Sequence, residues 1–397
     1  MPQPTPSSAS TSSATPDPAP MGRSNSAAWL NSALAQLEVG DAPYTPPAAD
    51  QILVCNRAVA VNPLEWIIQV AGPLIYRWLK YPTVIGSDVA GEVVALGTDV
   101  TRFKVGDRVL GHAVGTDKDS NSAAEGGFQH YTLVLERMAS PIPDALEFEH
   151  AVVLPLAVST ASCALFQHDQ LGLAHPSGNP RPTGQTVLVW GGSTSVGSQA
   201  IQLAKAAGYE VVTTCSPHNF DYVLRLGAAE VFDYSSLTVV EDIVAAFDGR
   251  ILAGAVAIGT TAANNCVRIV ARCEGTRFVA IATPPASFAG LGPEERPRFA
   301  TLRTIRTLVV SNVALQMRAR SRRVGLKYIF GTSLKKNEVS TAIYRDFLPA
   351  ALAEGRYAAV PVPTVVGHGL EHIQPALDVL RRGVSAAKVV VTLTPPA

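Results

Sequence analysis

An apolar run, Val187–Trp190, leads straight into Gly191-Gly192-Ser193-Thr194-Ser195-Val196-Gly197, and helix-forming residues follow at once. A strand that ends in a glycine turn at a helix start leaves the first N–H groups of the helix unpaired and aimed into the turn. The helix dipole favours an anion at that spot. Glycine lets the main chain approach a pyrophosphate closely, so Gly192, Ser193, Thr194, Ser195, Val196 and Gly197 read as a cradle for dinucleotide phosphates. The spacing departs from G-x-G-x-x-G, and the position between a strand and a helix is what gives the segment its weight. The next apolar run, 210–214, ends in Cys215-Ser216-Pro217-His218-Asn219. A site for NAD usually places Asp or Glu there to hold the ribose 2′-hydroxyl. Here Ser216 and Asn219 offer neutral donors and His218 a potential cation, so NADPH is the expected cofactor.

Other chemistries lack their residues. A catalytic zinc needs three protein ligands. His368 and His372 are four apart, on one face of an expected C-terminal helix, with no third ligand near them. The five cysteines are scattered and never spaced C-x-x-C, which points to buried reduced thiols rather than disulfides or a zinc site. No G-x-S-x-G nucleophile turn is present. The expectation is therefore no metal.

Those residues need elements to hold them. From 186 onward, TVLVW, VGSQAIQLAKAAG, EVVTT, NFDYVLRLGA, EVFDY, TVVEDIVAAF, LAGAVAIG, AANNCVRIVAR and TRFVAIA alternate between strand and helix patterns. Such alternation builds a parallel sheet covered on both faces. Residues 285–320 are rich in arginine and give no clear element, and 324–330 reads as a last strand. Before the alternation, short strands at 51–61, 84–96 and 105–109, broken by glycine turns, suggest a small barrel-like unit, and 149–167 has helical spacing. Near the end, GLEHIQPALDVLRRG and AAKVVVTL read as a helix and a strand returning to that unit. The expected division is a disordered tail over 1–24, a first unit over 25–155, a nucleotide-binding unit over 156–331 and a return over 332–397. The first twenty residues are almost all Pro, Ser, Thr and Ala, a composition that cannot bury enough apolar surface to offset ordering. Lys+Arg and Asp+Glu are both 32, so no general attraction to nucleic acid or acidic membranes is expected. No run of eighteen apolar residues stands out as a membrane span, and a cytoplasmic location is expected.

Several segments together carry a resemblance: Asn62-Pro63 with Trp66, GSDVAGEVVALGTDVTRFKVGDRVLGHA at 86–113, AEGGFQHY at 124–131, VLPLAVSTA at 153–161 and WGGSTSVGSQAIQLAKAAGYEVVTTCSPHNF at 190–220. The chain resembles the zinc-free, fungal quinone-reductase-like and trans-acting enoyl-reductase-like group of the medium-chain dehydrogenase/reductase superfamily. The resemblance implies an α/β fold: a GroES-like β-barrel domain made by both ends of the chain, and a Rossmann doubly wound sheet between. The cofactor would lie in the cleft between them. It implies that Cys215, Ser216 and Asn219 surround a 2′-phosphate, with Tyr234 near the adenine. Thr160 would lie by the nicotinamide, Ile258, Gly259, Ala280 and Ile281 under the cofactor, Phe330 and Gly331 across its nicotinamide end, and Lys388 at the cofactor or the domain seam. Zinc-dependent members carry Cys and then His-Glu where this chain has Ser87-Asp88. Ile67 stands where many relatives keep a lysine, and Val70 or Ala71 where a tyrosine is often found.

The activity implied is hydride transfer from NADPH to an activated C=C of an enone, quinone or enoyl thioester. Thr160 is a candidate for holding the developing enolate, and Tyr76, with Tyr81, for supplying the proton. The implied partner is a small-molecule substrate, possibly a carrier-bound acyl chain, handled by a monomer or homodimer. The alternative is an NADPH-binding partner or regulatory protein with little catalysis, which the loss at Ile67 would favour.

Overall fold

Strands apolar on both faces must be covered on both, and two sets of them set the architecture. The computed structural model describes residues 24–285, 287, 288, 291 and 300–396. The expected tail at 1–24 lies, but for Ser24, outside the described residues. The first strands are β1 (Asn25–Leu30), β2 (Leu37–Ala42), β3 (Gln51–Ala60), β4 (Thr83–Val84), β5 (Asp88–Leu96), β6 (Arg108–His112), β7 (Tyr131–Leu135) and β8 (Ala139–Pro141). Helix α1 (Pro63–Ile75) follows β3, and α2 (Phe148–Ala151) and α3 (Pro155–Phe166) follow β8. β1 pairs with β2 and β4 in a small antiparallel sheet.

The middle of the chain delivers the expected alternation. Its elements run β9 (Gln185–Trp190), α4 (Ser195–Ala206), β10 (Glu210–Cys215), α5 (Phe220–Leu226), β11 (Glu230–Asp233), α6 (Val239–Ala246), β12 (Ile251–Ala257), α7 (Ala262–Val270), β13 (Phe278–Ile281), α8 (Ala300–Ser321) and β14 (Gly325–Tyr328). The six strands pair in parallel in the order β11-β10-β9-β12-β13-β14, a doubly wound Rossmann sheet. The order reverses between β9 and β12, and open sheets of this type bind ligands at the carboxyl ends of the strands flanking that point.

The chain then returns through α9 (Glu338–Ser340), a wide helical stretch Thr341–Phe347, α10 (Leu348–Ala353), β15 (Val362–His368), α11 (Ile373–Arg382) and β16 (Ala387–Thr392). β16 pairs with β3 and completes a seven-stranded sheet, β15-β16-β3-β5-β6-β8 with β7 on the other side of β3. The crossings are pinned. Arg137 donates to the carbonyl of Asn337 at 2.8 Å and to Ser340 Oγ at 3.0 Å. Tyr357 donates to Gln199 on α4 at 2.6 Å.

Three expectations need correction. The arginine-rich stretch at 300–321 is a long helix, α8. His368 ends a strand and His372 sits in a tight turn before α11, so the two share no helix face. Phe148–Phe166 has the length and hydropathy to cross a membrane, although no run of eighteen apolar residues stood out. The fold instead uses it as α2 and α3, with 72% of it buried inside the protein.

Candidate active site and dinucleotide cleft

At the end of β9 the main chain turns through Gly191 with φ +92°, a conformation that side chains other than glycine's rarely allow. Thr194 caps α4: its Oγ1 accepts from the Gly197 N–H at 3.0 Å and donates to the Gly191 carbonyl at 2.7 Å. A Cβ at Gly197 would lie 2.2 Å from the Gly191 oxygen, and one at Gly192 would lie 2.2 Å from Thr213 Oγ1. Helix and strand are therefore packed as close as glycine permits, and the remaining N–H groups of the α4 start face the switch point. Replacing Gly197 with alanine should force α4 off the turn. The expected cost is about 1–3 kcal/mol in stability with a matching loss of dinucleotide affinity, read by thermal unfolding and fluorescence titration. Unchanged values on both would contradict this geometry.

At the end of β10 no acid is present in the turn 215–219. His218 Nε2 and Asn219 Nδ2 both lie 3.2 Å from Ser385 Oγ, just before β16, and Ser216 Oγ donates to Tyr234 at 3.3 Å. Tyr234 is exposed. Asp233, at the end of neighbouring β11, accepts from the Ser235 N–H and hydroxyl at 2.9 and 2.7 Å. Cys215 is placed differently from expectation. Its thiol is buried and pushed up to about 11 by that burial, with Asp233 adding to it. Only its main chain can face a ligand.

Past β12, Gly259 has φ +116° and open space where a Cβ would be, next to Ile258. Ala280 and Ile281 are corrected: both side chains sit in the core, and the first residue of this strand end to reach solvent is Ala282. Phe330 projects into solvent beside Gly331, where a Cβ would lie 3.0 Å from Thr160 Oγ1 and 3.4 Å from Ser159 Cβ. Thr160 itself donates to the Leu156 carbonyl at 2.8 Å, so its proton is engaged within its own helix rather than free for an enolate. Tyr76 closes α1, with its ring 5.0 Å from that of Trp78. Burial, then the nearby carboxyls of Glu65 and Asp117, keep its phenol protonated. The Tyr81 hydroxyl is buried beside Gly72 and has no hydrogen-bond partner among the described residues.

The densest charge is where sequence reasoning placed only Lys388. Asn62 precedes α1, Pro63 opens the helix, and Glu65 reaches back to accept from the Asn62 N–H at 2.7 Å. The Asn62 side chain is thereby free to turn inward. Its Nδ2 donates to Asp88 Oδ2 at 2.9 Å, and its Oδ1 accepts from Lys388 Nζ. The Lys388 ammonium lies 2.7 Å from the same Asp88 oxygen. Asp88 Oδ1 accepts from the Leu156 N–H at 2.6 Å, satisfying the start of α3. Four distant segments thus meet at one buried carboxylate. Glu65 makes no ion pair among the described residues, although Lys388 lies near enough to oppose its shift. Burial first, then Asp88, raises its carboxyl to about 7.

Beside this cluster runs a second buried line. His112 Nδ1 is 2.8 Å from Ser159 Oγ, which is 2.7 Å from the Tyr344 hydroxyl, and Tyr344 donates to the Pro155 carbonyl at 2.8 Å. Read backward from that carbonyl, each hydroxyl donates onward and His112 carries its proton on Nδ1. Burial pushes the imidazole down to about 4, so it is neutral. Sequence reasoning missed Glu65, Asp88, His112, Ser159 and Tyr344 as a group. The available signal was a charged or polar residue inside an apolar run, as in GSDVAG and AAKVVV, which requires a buried partner.

A Rossmann sheet with a glycine-turn dinucleotide site, joined to a second sheet built by both ends of the chain, defines a class of oxidoreductase. Residues 48–144 match the family model of the alcohol dehydrogenase GroES-like domain, and 195–315 that of zinc-binding dehydrogenase. The chain is 50% identical to "Dehydrogenase pigH" of Monascus ruber, over 93% of this chain and 99% of that one. It is 38% identical to "Trans-enoyl reductase himH" of Aspergillus japonicus, over 93% and 98%. An alcohol dehydrogenase superfamily protein from Novosphingobium aromaticivorans superposes with a TM-score of 0.69 at 25% identity, over 93% and 100%. The chain belongs to the medium-chain dehydrogenase/reductase superfamily. The zinc in the family model's description does not fit here. Asn62 and Ser87 are neutral, Asp88 already holds the Lys388 ammonium, and no group of three or more His, Cys, Asp or Glu gathers among the described residues.

Proposed function

We propose that the protein is a zinc-independent, NADPH-dependent reductase of an activated C=C, with an α,β-unsaturated thioester as the preferred substrate class. The observation that carries the cofactor choice is the acid-free turn at the end of β10, where His218, Asn219 and Ser385 converge and Ser216 and Tyr234 stand open. The substrate class draws on the relatives, one of them described as a trans-enoyl reductase.

The residues fit the cofactor. Gly192 to Gly197 would hold the pyrophosphate, Ser216, His218 and Asn219 the 2′-phosphate, Tyr234 the adenine, and Gly259, Phe330 and Gly331 the far end. When bound, NADPH supplies the hydride. The protein's part is to align the double bond and hold charge on the substrate oxygen. Tyr76 is the acid that this chain offers for the α-carbon, its phenol kept protonated by burial and by Glu65. Ile67 does not leave a gap where a lysine is missing. It packs with Val70, Ala71, Phe288 and Leu291 in an apolar seam between α1 and the Rossmann side, a wall suited to an acyl chain.

Replacing Ser216 with aspartate should reverse the cofactor order. A carboxylate against a 2′-phosphate costs several kcal/mol, so NADPH affinity should fall by about two orders of magnitude while NADH affinity holds or rises. Titration of both cofactors checks this. Equal wild-type affinity for NADH and NADPH would contradict the assignment.

A further inference from the structure

Helix α8 carries four arginines and no Asp or Glu, and Arg322 and Arg323 follow directly after it. Its inner side is accounted for. Leu315 and Ala319 are buried against the Rossmann core, and Leu308 packs on the α1 seam that contains Ile67. Its outer side is not. Leu302, Val309, Val310, Val313 and Met317 recur at helical spacing and are each more than half exposed, between 53% and 66%. Arg303 and Arg306 flank this stripe at one end and Arg320 at the other. None of these three makes an ion pair among the described residues. The face therefore reads basic, apolar, basic, and it lies across from the seam that borders the cleft.

Three kinds of surface could cover it, and charge separates them. In a symmetric pair of α8 helices, Arg303 and Arg306 of one copy would stack on Arg320 of the other, cation against cation. A membrane-surface helix favours aromatic anchors at the headgroup level, and 300–321 contains no Trp, Tyr or Phe. An acidic protein surface answers both parts, because guanidinium forks match carboxylates and the stripe offers an apolar centre. We propose that the open face of α8 docks an acidic acyl-carrier domain that presents the enoyl thioester to the cleft. This rests on the reductase reading and adds to it a partner and a place.

The test compares one acyl group on two carriers: a crotonyl thioester on an acidic recombinant acyl-carrier domain, and the same thioester on pantetheine. The variant is the full chain with Arg306→Glu and Val313→Asp, its fold checked by an unchanged unfolding midpoint. Its affinity for the carrier domain, read by fluorescence anisotropy, should fall at least tenfold. KM for the carrier-bound substrate should rise to match, with kcat and all pantetheine kinetics unchanged. Added salt should weaken wild-type binding in the same way. Equal carrier affinity in variant and wild type would overturn the proposal. So would a wild-type dimer that the variant dissolves, or wild-type binding to phosphatidylserine vesicles in place of the carrier. If neither thioester is reduced, the reductase reading fails alone, since the anisotropy titration needs no turnover.

Discussion

Replacing Lys388 with methionine is expected to destabilise the protein by about 3–5 kcal/mol, the cost of leaving one partner of a buried ion pair unpaired. The ammonium is held by Asp88 and Asn62 with almost no solvent contact, and Asp88 also anchors the first turn of α3. Without the cation, Asp88 must either stay charged in a poor dielectric or take up a proton. In the double variant Asp88→Asn with Lys388→Met, the buried charge is gone from both sides, and roughly half of the loss should return. Urea unfolding of the two single variants and the double completes the cycle. A Lys388→Met protein within about 0.5 kcal/mol of wild type would show that the pair is incidental, since that is the range of ordinary surface substitutions.

Glu65→Gln should alter how stability depends on pH. Glu65 binds its proton more tightly in the folded protein, where its carboxyl is raised from 4.5 to about 7. Its contribution therefore favours the native state below pH 4.5 and is lost as pH rises through about 7. His112 works in the opposite direction. Its folded value is depressed from 6.5 to about 4, so its contribution is present above pH 6.5 and is lost as pH falls towards 4. Between about pH 4.5 and 6.5 the two offset each other, and the wild-type curve should be flat there. Glutamine keeps an acceptor for the Asn62 N–H and removes the titration. Relative to wild type the variant should gain stability as pH rises from 4.5 to 7, by about 3 kcal/mol at 1.36 kcal/mol per unit. Parallel curves for variant and wild type would mean that Glu65 is not held protonated by its surroundings.

Both effects arise at a place that single-sequence reasoning reached only in part. The nucleotide-binding half was legible because each of its elements announces itself locally: a strand of four to six apolar residues, a turn, a helix, repeated. The glycine turn was legible for the same reason, since Gly191, Gly192 and Gly197 act within seven residues. The α1 helix carried its own start signal, with Asn62 before Pro63 and Glu65 at the third helical position, yet residues 63–75 were assigned no element. The meeting of Asn62, Asp88 and Lys388 had no local trace, because the partners lie up to 326 positions apart. The same holds for Tyr344, which reaches Ser159 across 185 positions. Ala280 and Ile281 were misplaced by a single step: the sheet stays covered through Ile281 and opens only at Ala282. The arginines of α8 hid a helix because its exposed face is apolar and its charges are of one sign, the reverse of the pattern that marks an ordinary surface helix.

The proposed reaction is hydride transfer in this cleft from NADPH to the β-carbon of an unsaturated thioester. Turnover with NADPH deuterated at C4 of the nicotinamide, crotonyl-pantetheine as substrate and a chelator present tests it directly, with the saturated product read by mass spectrometry and NMR. The proposed reaction gives one deuterium at the β-carbon, a solvent proton at the α-carbon, and a rate that the chelator leaves unchanged. Deuterium on a carbinol carbon, or activity that disappears with the chelator, would contradict it.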